Sequence, residues 1–210
     1  MTEFIFKELE HEYWVDGVRW PSVTEFLSPL NDFSKINPAV LKKKAKFGKQ
    51  IHKIVELEAL GVLDESSISP FQLIYLGHIR QWCADYNIDI HNAIAEFPQY
   101  HSPLKFAGTP DLIFPNPLLV EVKTRPFKAV IDGLQLAGQE LLCRENHGFS
   151  RPAEQRVLSL SEAGYKYPLV ATPAERKENI NRFIWLTKKW WAEGGEYSPE
   201  TIAQMRTWKA

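Results

Sequence analysis

Apolar and polar residues alternate along this chain in two rhythms, and the switches between them mark out the elements. Residues 4–20, FIFKELEHEYWVDGVRW, have strand-like stretches on both sides of Asp16-Gly17, the dipeptide of a tight hairpin turn. Ser22, with Glu25 three residues on, has the capping-box pattern and starts a short helix. From Asn37 the spacing becomes helical, opened at Pro38 and stopped by Gly61. A second helix starts from Ser69-Pro70. Strand-like runs follow at 92–100, 104–114 and 117–124, then a third long helix over 127–146 that contains Gly133 and Gly138. Residues 155–172 predict two strands around a turn at Ala163-Gly164, and 173–195 the last long helix. The polar stretch 196–210 is expected to be a loosely held tail.

Helices, a strand cluster, a helix, two strands and a helix give an α/β or α+β fold, with a central mixed β-sheet flanked by helices. No repeat or linker divides the chain. One domain is expected over 1–210: an N-terminal hairpin and short helix (1–36), a core (37–195) and the tail. With 44% hydrophobic residues and 12% aromatic residues the chain can fill such a core. No apolar run approaches the ~20 residues that span a bilayer, and the N-terminus lacks a secretory pattern, so a cytoplasmic protein without a membrane partner is expected. A net charge of −1 excludes coating nucleic acid by bulk charge but leaves room for a local basic groove. Cys83 and Cys143 are two thiols, too few for an iron–sulfur cluster, and read as structural.

The chemistry concentrates in TPDLIFPNPLLVEVKTR, residues 109–125. If Pro115-Asn116-Pro117 forms the loop, antiparallel pairing sets Phe114 opposite Leu118 and Asp111 opposite Glu121. Directly opposed like charges are destabilising. Lys123 shares the face of Glu121, while Val120 and Val122 point the other way. A divalent cation such as Mg²⁺ between the carboxylates resolves their repulsion and suits phosphodiester hydrolysis. Without a metal, the same spacing describes a surface strand with solvated charges and Asp111 capping a turn.

Two helices add candidates. Leu41, Ala45, Gly48, His52, Val55 and Ala59 form one stripe of the long helix, which points His52 inward as a metal ligand or a hydrogen-bonded core residue. Lys42, Lys46, Lys49 and Lys53 form a second stripe, and seven lysines with no acidic residue lie between Lys35 and Lys53. Beside a phosphodiester site that stripe reads as a phosphate groove with salt-dependent affinity; elsewhere it reads as a solvated face. Gln135 and Gln139, at i and i+4, share a face that is either functional or plain surface. Trp190 and Trp191 read as anchors of the last helix.

These residues carry a resemblance. Pro110-Asp111 followed by Glu121-Val122-Lys123 resembles the signature of the PD-(D/E)XK nucleases. FGKQIH is similar to the G-x-x-x-H element of the RecB-like branch, and QLAGQ to the start of its Q-x-x-x-Y element. The opening HEYWVDGVRWPSVTEFL is similar to the leader of phage-type members, so matching elements run in order from about residue 11 to 139. The resemblance implies a restriction-endonuclease-like core and a Mg²⁺- or Mn²⁺-dependent deoxyribonuclease, an exonuclease of recombination, repair or phage DNA processing. It makes Asp111, Glu121, His52 and the Val122 carbonyl metal ligands, with Glu96 as a further acidic ligand. It makes Lys123 the residue that assists the attacking water, and sets Gln135 beside Lys123 or DNA. Gln139, grouped with the lysines as DNA-contacting, stands where the element has tyrosine. That departure keeps a catalytically silent DNA-binding module in play, beside a structure-specific endonuclease. Relatives of this kind work in bacterial or phage-infected cells as monomers, homo-oligomeric rings or with a recombination or repair partner protein, and the residues leave that choice open.

Overall fold

The computed structural model describes residues 2–208. A five-stranded mixed sheet in the order β10-β9-β8-β7-β4 lies at its centre: β4 (Ile94–Ala95), β7 (Leu112–Phe114), β8 (Leu118–Lys123), β9 (Glu154–Ser161) and β10 (Gly164–Lys166). β8 and β9 are parallel and every other pairing is antiparallel. The β8–β9 crossover is α4 (Ala129–Asn146), which makes a β-α-β unit.

One face of this sheet (Leu112, Val120, Val122, Leu158) packs on α2 (Pro38–Ala59) and α3 (Pro70–Asp85) through Ile51, Val55, Leu76 and Ile79. The other face (Ile113, Leu119, Val157) packs on α4 through Leu136 and Cys143. Beyond α4 a third apolar cluster joins α1 (Val23–Leu27), α5 (Pro173–Ala192) and α6 (Pro199–Thr207). Two small sheets complete the α+β single domain: β1 (Phe4–Lys7), β2 (Glu12–Val15) and β3 (Val18–Trp20), and the pair β5 (Gln99–His101) and β6 (Phe106–Gly108). Among the described residues no helix is long and apolar enough to cross a membrane.

Local chemistry accounts for the element ends. Ser22 accepts from the Glu25 N–H while Glu25 reaches back to the Ser22 N–H, and Ser69 with Gln72 and Thr172 with Glu175 do the same. Gly61 takes φ +69 after α2, a conformation that stops a helix at little steric expense. The hairpin register matches the expectation, with Phe114 opposite Leu118 and Leu112 opposite Val120.

Five expectations change. The runs 92–100 and 104–114, each expected as one strand, are each split between the central sheet and the small β5–β6 sheet, into β4 and β5 and into β6 and β7. The N-terminal segment has three strands, because Glu8–His11 forms a second turn before the Asp16-Gly17 turn. The turn between the last two strands falls one residue earlier, at Glu162-Ala163, with Gly164 already in β10. The 196–210 tail is not loose: α6, capped by Ser198, buries Thr201 and Met205 and packs on the third cluster. Trp190 packs edge-to-face on Phe26 and Tyr197, but Trp191 is exposed and donates to the Leu104 carbonyl.

Gly138 explains how α4 and α5 come so close. A Cβ there would lie 2.6 Å from Phe183 Cζ, and Phe183 is fully buried and cannot yield. Gly138→Ala is expected to destabilise the protein by about 1–3 kcal/mol through overpacking, despite the ~1 kcal/mol gained in helix propensity. Urea unfolding of the variant checks this, and an unchanged or higher midpoint would contradict the close approach.

Candidate metal centre

Two groups of polar side chains meet at the C-terminal end of β8. The first is a ligand set. His52 Nδ1 from α2 lies 3.2 Å from Glu96 Oε1 and 3.2 Å from Asp111 Oδ1. These three residues offer ligand atoms all within 4.8 Å of one another. Each is placed by a different device. Gly48, one turn before His52, brings α2 against the end of β8, where an added Cβ would sit 3.4 Å from Thr124 Oγ1. Asp111 enters β7 with its Oδ2 accepting the Val122 N–H at 2.7 Å, so the backbone of β8 fixes its carboxylate. Glu96 follows β4 with φ +46, a left-handed conformation uncommon outside glycine, and its N–H donates to the Asp111 carbonyl.

The second group is a clamp on Glu121, which is 1% exposed in the middle of β8. Gln135 Nε2 donates to Glu121 Oε1 and Gln139 Nε2 to Oε2, both at 2.6 Å. Lys123 Nζ donates to the same Oε1 at 2.5 Å and to Gln135 Oε1 at 3.0 Å. Asp111, next outward from Leu112 in the β7–β8 register, lies beside this group.

The electrostatics follow from burial. Burial works against a charged His52, but Asp111 and Glu96 outweigh it and hold its pKa well above the usual imidazole value. Burial pushes Glu96 up to about 7, with His52 opposing and Asp111 adding to the rise. Burial would also raise Asp111, yet His52, Lys123 and the Val122 N–H hold it below the usual carboxylate value. Glu121 is raised, first by burial and then by Asp111, with Lys123 offsetting only part. Burial opposes the Lys123 ammonium, but Glu121 and Asp111 keep it charged.

The donor chemistry fits a divalent cation. With His52 neutral, as a ligating imidazole must be, the ionised forms of the three carboxylates and one ammonium carry two negative charges in a partly buried site. An imidazole and carboxylates suit Mn²⁺ or Mg²⁺ in an incomplete shell that leaves positions for water or phosphate. An open cleft of about 640 Å³, lined by His52, Glu96 and Thr109, leads to the ligand set.

The other candidates fall differently. Glu121 is outside the ligand set, with both oxygens engaged by amides and ammonium. Val122 contributes its N–H to Asp111 and its side chain to the core. Gln139 is buried beside Glu121, which corrects its assignment to DNA contact, and Gln135 is likewise buried rather than surface. His52 sits at the margin of the buried face: the buried residues of α2 begin at Ile51, and Ala45 is exposed. Lys49 and Lys53 line the cleft, though Lys53 is tied to Glu56 at 2.8 Å, whereas Lys42 and Lys46 are exposed farther along α2. Cys143 is buried and Cys83 half-buried.

No family model matches the chain, and no curated protein matches it.

Protons and metal compete for His52 and Glu96, both of which hold protons more tightly than usual. Deprotonation with rising pH therefore favours the metal. Mn²⁺ affinity is expected to rise between pH 6 and pH 8, by roughly tenfold per unit for each proton displaced, and His52→Ala to flatten that rise and weaken binding at pH 8. Calorimetric titration with Mn²⁺ checks both; a wild-type-like curve for the variant would remove His52 from the ligand set.

Proposed function

We propose that the protein is a metal-dependent deoxyribonuclease of the PD-(D/E)XK kind, an exonuclease by preference. The observation that carries this reading is the convergence of His52, Glu96 and Asp111 beside a buried Lys123–Glu121 pair, with His52 and Glu96 lining a cleft. A structural ion pair alone does not require a third carboxylate and an imidazole at the same place. The PD and E-x-K spacing, with the G-x-x-x-H and Q-x-x-x elements around it, supports the same reading.

In this reading His52, Asp111 and Glu96 hold Mg²⁺ or Mn²⁺. A bound cation supplies Lewis acidity to the phosphodiester and lowers the pKa of water. The remaining work falls to the chain. Val122 N–H fixes the Asp111 carboxylate, so the donor atoms need little reorganisation. Glu121 and Gln135 hold the Lys123 ammonium, a charge suited to orienting the attacking water and offsetting negative charge in the transition state. Lys49, exposed on the cleft wall, supplies a cation for a neighbouring phosphate. Lys42 and Lys46 extend that positive track along α2.

A second reading has its own support. Both oxygens of Glu121 are already satisfied by Gln135 and Gln139, an arrangement that also suits a DNA-binding module without catalysis.

Incubation of linear and closed-circular duplex DNA with Mg²⁺, Mn²⁺ or EDTA decides between them. Metal-dependent loss of linear DNA alone is expected, with Lys123→Ala reduced by at least 10²-fold while its unfolding midpoint shows that it is folded. Nicking of circles would favour an endonuclease, and binding without cleavage in either metal would favour the silent module. Separately, Lys46→Glu with Lys49→Glu is expected to weaken DNA binding and flatten its dependence on salt. An unchanged salt slope would return those lysines to a solvated face.

A further inference from the structure

The wall of the cleft opposite α2 has no role in the reading above. It comes from the N-terminal sheet, where Phe6 of β1 and His11 of the β1–β2 turn line the same cleft as Lys49, His52 and Glu96. This wall is aromatic and firmly held. Phe6 stacks on Tyr13 at 4.9 Å between centroids, and His11 meets Phe6 edge-on at 5.5 Å. Tyr13, 1% exposed, is bonded through its hydroxyl to Thr109 Oγ1 at 2.8 Å and lies 3.2 Å from His11 Nε2. Thr109 is two residues before Asp111, so one hydrogen bond ties the aromatic wall to the segment that carries the ligand set. His11 holds φ +54, which an ordinary turn residue avoids and which imposes local strain. Partial desolvation, then Lys49, lowers its imidazole pKa from the usual value.

We propose that Phe6 and His11 form a stacking platform for the base of one unpaired nucleotide, whose phosphate lies against Lys49 beside the ligand set. The proposal rests on the nuclease reading and adds the substrate form: the strand enters the cleft single-stranded. Two features support it. Phe6 keeps part of its ring open to the cleft, where water gains nothing from it. An aromatic wall facing a lysine is the pairing that holds single strands without sequence preference, since every base has a π-face.

The test is binding in EDTA, where cleavage is silent. Fluorescence anisotropy measures the affinity of the full-length protein for a labelled short oligothymidylate and for an abasic chain of equal length. Wild type is expected to prefer the base-bearing chain about tenfold or more. Phe6→Leu keeps the apolar bulk without the aromatic face, and His11→Asn tolerates the left-handed backbone. Each is expected to lose most of the preference while retaining wild-type Mn²⁺ affinity and unfolding midpoint. Equal binding of the two chains by wild type, no binding of either, or full preference in both variants would overturn the platform. Metal-dependent cleavage by wild type would still uphold the nuclease reading in that event. Loss of cleavage with the base preference intact would remove the nuclease reading and leave the platform.

Discussion

The charge of Glu121 is the constraint around which the rest of the structure is arranged. A carboxylate 1% exposed in a strand whose neighbours are Val120 and Val122 is strongly unfavourable unless its oxygens are fully engaged. The protein engages them with two amides from α4 and one ammonium from its own strand. This requires α4 to lie across β8 at a fixed rotation and depth. Gly138, one residue before Gln139, faces α5 and lets Phe183 pack closely against the helix. The β8-α4-β9 crossover is thus a device for delivering amides to one strand position. Removing one partner of a buried charged set leaves a charge uncompensated, at a cost of about 3–5 kcal/mol. That magnitude is a large fraction of a domain's stability.

The same logic is repeated in α4 at sites with no connection to the cleft. Glu140 is fully buried and is met by Arg144 from its own helix, Arg176 from α5 and Gln155 from β9. Asp132 is met by Arg125 at 2.5 Å and by the Lys128 N–H at 2.7 Å. Those acids have cations and donors enough. Asp111 and Glu96 differ: their shared cationic partner is one imidazole, whose ligating form is neutral. That difference is what makes His52, Glu96 and Asp111 the candidate cation ligands of this fold.

Much of this was legible in the sequence, for identifiable reasons. The hairpin register followed by counting outward from Pro115-Asn116-Pro117, because strand pairing is set locally by the turn. The helix starts at Ser22, Ser69 and Thr172 lie within one turn of sequence, and so does the capping chemistry. What escaped were contacts made across long separations. From spacing alone Gln135 and Gln139 read as a functional face or plain surface, because nothing in QLAGQ announces that Glu121, 14 residues before Gln135, needs two donors; the resemblance alone set Gln135 beside Lys123, where it lies. The helix α6 was missed because SPETIAQMRTW is polar, and its few apolar residues become a face only when α1 and α5 are present to receive them. The signal that was there is Ser198-Pro199, an N-cap followed by proline at the first helical turn.

Glu96 marks the boundary between the two kinds of information. In sequence it is one acid inside the strand-like run 92–100, NAIAEFPQY, and its role came only from the resemblance. In the structure its left-handed backbone, its N–H bond to the Asp111 carbonyl and its raised pKa have one origin. The chain turns sharply at that point to carry the carboxylate back over Asp111. A non-glycine residue in that conformation costs of order 1–3 kcal/mol, and facing two like charges adds to it. Packing at this point is slight: Ile94 and Phe97 are exposed, while Ala95 packs on the α2–α3 cluster and Phe97 meets His147. The strain is offset elsewhere in the fold, and in the metal-binding reading proposed above His52 with a divalent cation would be the partner that stabilises this geometry.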